Sequence, residues 1–115
     1  MQIYQRLTIL LLAMLGGFFL AGGLALAEED VYVVTIQDHR FHPAEVEIPA
    51  GKRVKLLVKN LDATPEEFES HDFNREKIIL GGREATIKVG PLDPGIYDFF
   101  GEFHPDTAQG RLIVK

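Results

Sequence analysis

The chain has 115 residues, no cysteine, and 17 Asp and Glu against 12 Lys and Arg, a formal net charge of −5. So acidic a chain has little with which to build a clustered positive surface, which argues against nucleic acid and for a cation, or a basic patch on another protein, as partner. Disulfide cross-links and thiol chemistry are excluded, so the core alone has to hold the domain together.

Residues 1–27 read as a secretory signal. Arg6 precedes the apolar run LTILLLAMLGGFFLAGGLALA, and Ala25-Leu26-Ala27 has the small-x-small pattern of a cleavage site, just before the acidic Glu28-Glu29-Asp30. The run approaches the ~20 residues that span a bilayer, so a retained anchor is the alternative. The paired glycines and the cleavage-like end favour removal, which would leave no membrane span. The expected mature domain, Glu28 to Lys115, carries every acidic residue and all basic residues but Arg6, and at this length supports one core and one domain.

Along the mature chain the apolar pattern is that of short strands. VYVVTIQ (31–37) and EVEI (45–48) come first; RVKLLVKN (53–60) then puts Val54, Leu56 and Val58 on one face and Lys55 and Lys59 on the other. EKIIL (76–80), EATIKVG (84–90), GIYDFF (95–100) and GRLIVK (110–115) follow, divided by turn residues at Pro49-Ala50-Gly51, Gly81-Gly82, Pro91 and Pro94-Gly95. No segment keeps a helical period. About seven strands at this spacing predict an all-β sandwich, paired largely antiparallel. DATPEEFESHDF (62–73) is the one long irregular stretch and is expected to be a loop, with room for a turn of helix.

The polar residues admit more than one reading. Glu66, Glu67 and Glu69 could be a solvated acidic loop, the commonest surface feature. Held close together, however, such carboxylates repel and raise one another's pKa unless a cation neutralises them. Asp98 and Glu102 fall on one strand face, about 7 Å apart by strand rise, where exposure is the default. Phe41, Phe68, Tyr97, Phe99 and Phe103 are expected in the core and in a dry wall beside any site. His71 is a weaker ligand candidate, and His39 and His42 are expected at the surface.

Phe41-His42-Pro43 opening a strand, Pro49 to Gly51 turning into the next, Asn60 closing it, and Pro94 to Tyr97 opening the strand before YDFFGEFHPDTAQG (97–110) resemble the cupredoxin-like domains of exported bacterial proteins. The resemblance covers nearly the whole mature chain and implies a Greek-key β-sandwich with a metal site at one end. It places Glu66 and Gly101 where a blue-copper protein has its first histidine and its cysteine, His104 at the second histidine, and part of Asp106 to Gly110 at the axial ligand. Only His104 is kept, so the trigonal thiolate site of blue copper cannot form. The implied ligands are Glu66, Glu67, Glu69, Glu102 and His104, an oxygen-rich set suited to iron or Cu(II), and to Zn or Mn, but not to Cu(I).

TPEEFES (64–70) and FFGEFH (99–104) further resemble the cupredoxin component of periplasmic ferrous-iron uptake systems. That likeness implies a periplasmic protein that binds or hands over iron, with a periplasmic metal-binding protein and an inner-membrane permease as partners. A ferroxidase or electron-transfer component, and an interaction domain whose metal site has degenerated, are the alternatives. Whichever metal is held, its Cu(II) complex should show only weak d–d absorption, and an intense charge-transfer band in the visible spectrum would refute the thiolate-free ligand set.

Overall fold

The computed structural model describes residues 29–115; the expected signal segment lies outside them. Nine strands follow one another: β1 (Val31–Gln37), β2 (Arg40–His42), β3 (Glu45–Ile48), β4 (Val54–Asn60), β5 (Glu66–Ser70), β6 (Arg75–Ile79), β7 (Glu84–Val89), β8 (Gly95–Gly101) and β9 (Gln109–Val114). They form a four-stranded sheet in the order β2-β1-β4-β7 and a five-stranded sheet in the order β3-β9-β8-β5-β6. The all-β, two-sheet class is the one expected from sequence. The two additional strands are β2, three residues long, and β5, which occupies the stretch expected to be a loop.

β5 escapes a reading by apolar alternation because of what it turns inward. Glu66, Phe68 and Ser70 are buried while Glu67 and Glu69 on the other face are half-buried, so two of the three inward positions are polar. The period of two is present, but hydropathy does not trace it.

Pairing is mostly antiparallel, with two exceptions. β1 runs parallel to β4, from Val31 opposite Lys55 to Ile36 opposite Asn60, and β3 runs parallel to β9. Parallel neighbours cannot be joined by a tight turn and need a crossover. The crossover here is the passage between sheets: after β2 the chain leaves the four-stranded sheet, adds β3 to the other and returns as β4.

The core lies between the sheets. Val34, Ile36, Val54, Leu56, Val58, Phe68, Ala108 and Leu112 are wholly buried. Phe41 of β2 meets Phe99 edge-on at 4.9 Å between ring centroids and Phe68 at 5.9 Å, while Phe68 and Phe99 stack at 5.0 Å. Such pairs add to the area each ring buries. This aromatic group joins both sheets beneath the end of the sandwich where β5 begins and β8 ends. Tyr97 is partly buried, but Phe103 is 44% exposed and takes no part in the core, contrary to expectation.

Removing a buried side chain costs its transfer free energy and leaves a cavity. Leu112→Ala should therefore lose about 2–5 kcal/mol in urea unfolding, whereas Ile96→Ala, on the 61% exposed neighbouring strand position, should stay within about 0.5 kcal/mol of the parent.

Candidate metal centre

Asn60, at the end of β4, sets the path into the site. Its buried amide nitrogen donates to the carbonyls of Thr64 (2.8 Å) and Ile79 (3.0 Å), and its side-chain oxygen accepts from the Asp62 amide at 3.1 Å. One side chain thus ties the loop 61–65 to the ends of β4 and β6, and the chain enters β5 with Glu66 facing inward.

Glu66 is 1% exposed. A buried carboxylate is costly unless its oxygens are matched by donors. Here Oε1 accepts from the main-chain amides of Phe103 (2.8 Å) and Glu67 (3.0 Å), and Oε2 lies 2.7 Å from His104 Nδ1. With Glu66 ionised, a carboxylate only accepts, so Nδ1–H donates to it.

The loop carrying His104 is wound on itself. The His104 amide donates to the Gly101 carbonyl (3.2 Å), and the His104 carbonyl accepts from the amides of Thr107 (3.2 Å) and Ala108 (2.8 Å). Gly101 closes it by donating to the Ala108 carbonyl at 2.8 Å. A Cβ on Gly101 would lie 2.6 Å from Glu66 Cδ and 2.7 Å from Ala108 Cβ. The glycine is required by close approach: the Glu66 carboxylate occupies space that a side chain at position 101 would need.

The hairpin joining β1 to β2 reaches the same end. Its two turn residues, Asp38 and His39, both have positive φ, 55° and 58°, the backbone of a two-residue turn with the twist of the flanking strands. This conformation costs a non-glycine residue on the order of 1 kcal/mol. Asp62 offsets that by accepting from both turn amides, at 2.8 Å for Asp38 and 3.0 Å for His39. Burial raises the Asp62 carboxyl, but these amide donors and the neighbouring imidazoles of His39 and His104 outweigh it and hold the carboxyl below the usual range. The His39 ring stacks on His104 with centroids 3.6 Å apart and planes within 8°, and His39 Nε2 lies 3.4 Å from Thr64 Oγ1.

Of the five ligands expected from sequence, the structure brings Glu66 and His104 together. Glu67 and Glu69 stand on the opposite face of β5, where with Glu76 of β6 they offer carboxylate oxygens within 4.8 Å of one another. Glu102 is exposed; its amide donates to the Glu67 carbonyl at 2.8 Å, which puts it beside this outer group. Partial burial, followed by the carboxylates of Glu76, Glu69 and Glu102, pushes the Glu67 carboxyl up. The five therefore stand in two groups with the strand between them. His71 lies 3.6 Å from Glu69 on the outer side. Sequence reasoning missed Glu76, whose place depends on the register of β5 with β6, and placed His39 at the surface, where nothing in its neighbourhood signals a stack.

This fold is that of a cupredoxin. The profile of the cupredoxin-like domain family matches residues 8–114, and the chain belongs to that family. A protein of Rickettsia prowazekii, described only as uncharacterized, is 50% identical over 82 residues, which cover 71% of this chain and 66% of that protein, just under two thirds of its length. Auracyanin A, a blue copper protein of Chloroflexus aurantiacus, superimposes with a TM-score of 0.66 at 14% identity over 76% of this chain and 100% of its own. The metal-binding domain of the Cu(I)-exporting P-type ATPase of Streptococcus pneumoniae D39 gives 0.67 at 16% identity, covering 79% and 92%, and amicyanin of Paracoccus versutus gives 0.60 at 23%, covering 79% and 87%. These likenesses define the fold; the donor set is this chain's own.

The Gly101–Glu66 approach is open to measurement. Gly101→Ala should destabilise the protein by about 1–3 kcal/mol through overpacking. In a double-mutant cycle with Glu66→Ala, part of that loss should be recovered, with Ala108 keeping the remainder; strict additivity would show that the two positions do not meet.

Proposed function

We propose that this chain is an exported, periplasmic metal-binding cupredoxin-like protein that handles iron or Cu(II) through Glu66 and His104, in the service of iron uptake. The observation that carries the reading is the buried Glu66 carboxylate facing His104 Nδ1 at 2.7 Å, at the end of the sandwich where the family resemblance puts the metal.

The donors fit one kind of ion and exclude another. One carboxylate oxygen and one imidazole nitrogen, with no sulfur-bearing residue among the described residues, suit Fe, Cu(II), Zn or Mn and do not suit Cu(I). Bound there, iron or copper would supply a one-electron couple. Glu66 Oε2 and His104 Nδ1 would be the protein's donors, while the amides of Phe103 and Glu67 keep the carboxylate aimed through Oε1. The outer carboxylates Glu67, Glu69 and Glu102, joined by Glu76, would attract cations to the same end of the molecule. No helix among the described residues is long and apolar enough to cross a membrane, which is compatible with a domain working beside a periplasmic metal-binding protein and an inner-membrane permease.

A second reading has its own observation. Both Glu66 oxygens already have donors within the chain, so the pair can hold the two segments together by hydrogen bonds alone, as an interaction domain with a degenerate site would.

Titration of the purified protein with Fe(II) and with Cu(II) decides between them. Under the metal-binding reading, Glu66→Gln and His104→Ala each weaken affinity by about 10- to 100-fold, and Glu47→Gln and Glu84→Gln change nothing. Coordination through Nδ1 needs its lone pair, so the imidazole must carry its proton on Nε2 in the complex, and the Nδ1 proton signal should be lost on saturation with Zn(II). Weakening confined to Glu67→Gln/Glu69→Gln would move the ion to the outer face. Absence of binding would leave the interaction domain, and oxygen consumption with ferrous iron would identify a ferroxidase.

A further inference from the structure

We infer that His39 is a positioning residue for His104: it fixes the plane of the His104 imidazole so that Nδ1 is held on Glu66. The metal consequence rests on the function proposed above; the positioning itself does not.

The main chain of His104 is well held, with its amide and carbonyl both bonded within its loop. Its ring is not held by that. Rotation about the bond from Cβ to an imidazole is broad and roughly two-fold, so backbone position leaves the ring plane open. A hydrogen bond and a ring stack act on it. Glu66 Oε2 selects which edge faces inward, because a half-turn would put a carbon where Nδ1 now stands at 2.7 Å. A single hydrogen bond to one atom still lets the ring tilt. The His39 ring, 3.6 Å away and within 8° of parallel, blocks intermediate angles, since any tilt drives one edge of His104 into it. His39 sets the plane and Glu66 sets the edge.

For this to work His39 must itself be rigid, and the structure provides for that. It sits in a two-residue turn whose amides are both held by Asp62, and its Nε2 reaches Thr64 Oγ1 at 3.4 Å. At φ of 58° glycine is the least strained residue, and histidine is among the side chains that tolerate this backbone. From this turn the ring covers His104. A direct ligand role fits less well, because among the described residues His39 does not join Glu66 and His104 in any set of three donor atoms within 4.8 Å of one another.

The turn allows a clean variant. His39→Gly removes the ring and relieves the turn, so its melting temperature should equal or exceed that of the parent. His39→Phe supplies a flat ring with no nitrogen. Without metal, the side-chain nitrogen NMR spectrum should show a slowly exchanging Nδ1 proton of His104 in the parent and in His39→Phe, broadened or lost in His39→Gly. With Cu(II) as the probe, His39→Gly should bind about 10- to 100-fold more weakly, and His39→Phe should regain most of the affinity. An unchanged His104 proton in His39→Gly would overturn the positioning role. Equal loss of copper affinity in both variants would overturn it in favour of His39 as a ligand. If the parent binds neither Cu(II) nor Fe(II), the proposed function fails, and the metal-free spectra alone decide the role of His39.

Discussion

The Glu66 carboxylate is the constraint around which this end of the sandwich is built. Burying it obliges the protein to bring donors, and three converge: two main-chain amides and one imidazole, from β5 and from the turn after β8. Position 101 must then be glycine, because the carboxylate stands where a side chain would be. The wound loop from Gly101 to Ala108 presents the Phe103 amide and His104 to it. The Glu66 side chain draws these segments together from within, and an ion would have to enter among donors already engaged.

Two faces of one strand carry different electrostatics. Inward, Glu66 is surrounded by donors; outward, Glu67, Glu69 and Glu76 face one another, and the Glu67 carboxyl is pushed up in consequence. Partial exposure lets solvent screen the outer group, whereas the inner carboxylate has only the protein to answer it. Carboxylates adjacent in the chain therefore serve different ends, one internal and specific, the other a surface field.

The segments that meet at the site are each anchored before they reach it. Asn60 fixes the loop before β5, Asp62 clamps the hairpin that carries His39, and the Phe41, Phe68 and Phe99 cluster gives all of them a rigid floor. Such anchoring matters for any site built from few donors, since its geometry depends on neighbours that cannot shift. It also explains how a sandwich shared with a blue copper protein at low sequence identity can keep its frame.

By itself the sequence determined the all-β class and the absence of any thiolate. Alternating apolar residues in β4 and β7 reveal the sheets, the missing cysteine is a matter of composition, and the motifs around Phe41, Pro49, Asn60 and Pro94 carry the family likeness. Only the tertiary structure decided that Glu66 turns inward and Glu67 outward, that Glu76 joins the outer group, and that His39 lies over His104. In β5 the inward residues are Glu, Phe and Ser, so hydropathy cannot show which face is buried. The Glu66–His104 contact spans 38 positions and the His39 stack more, and whether such residues meet is set by strand register and loop path, which no local pattern encodes.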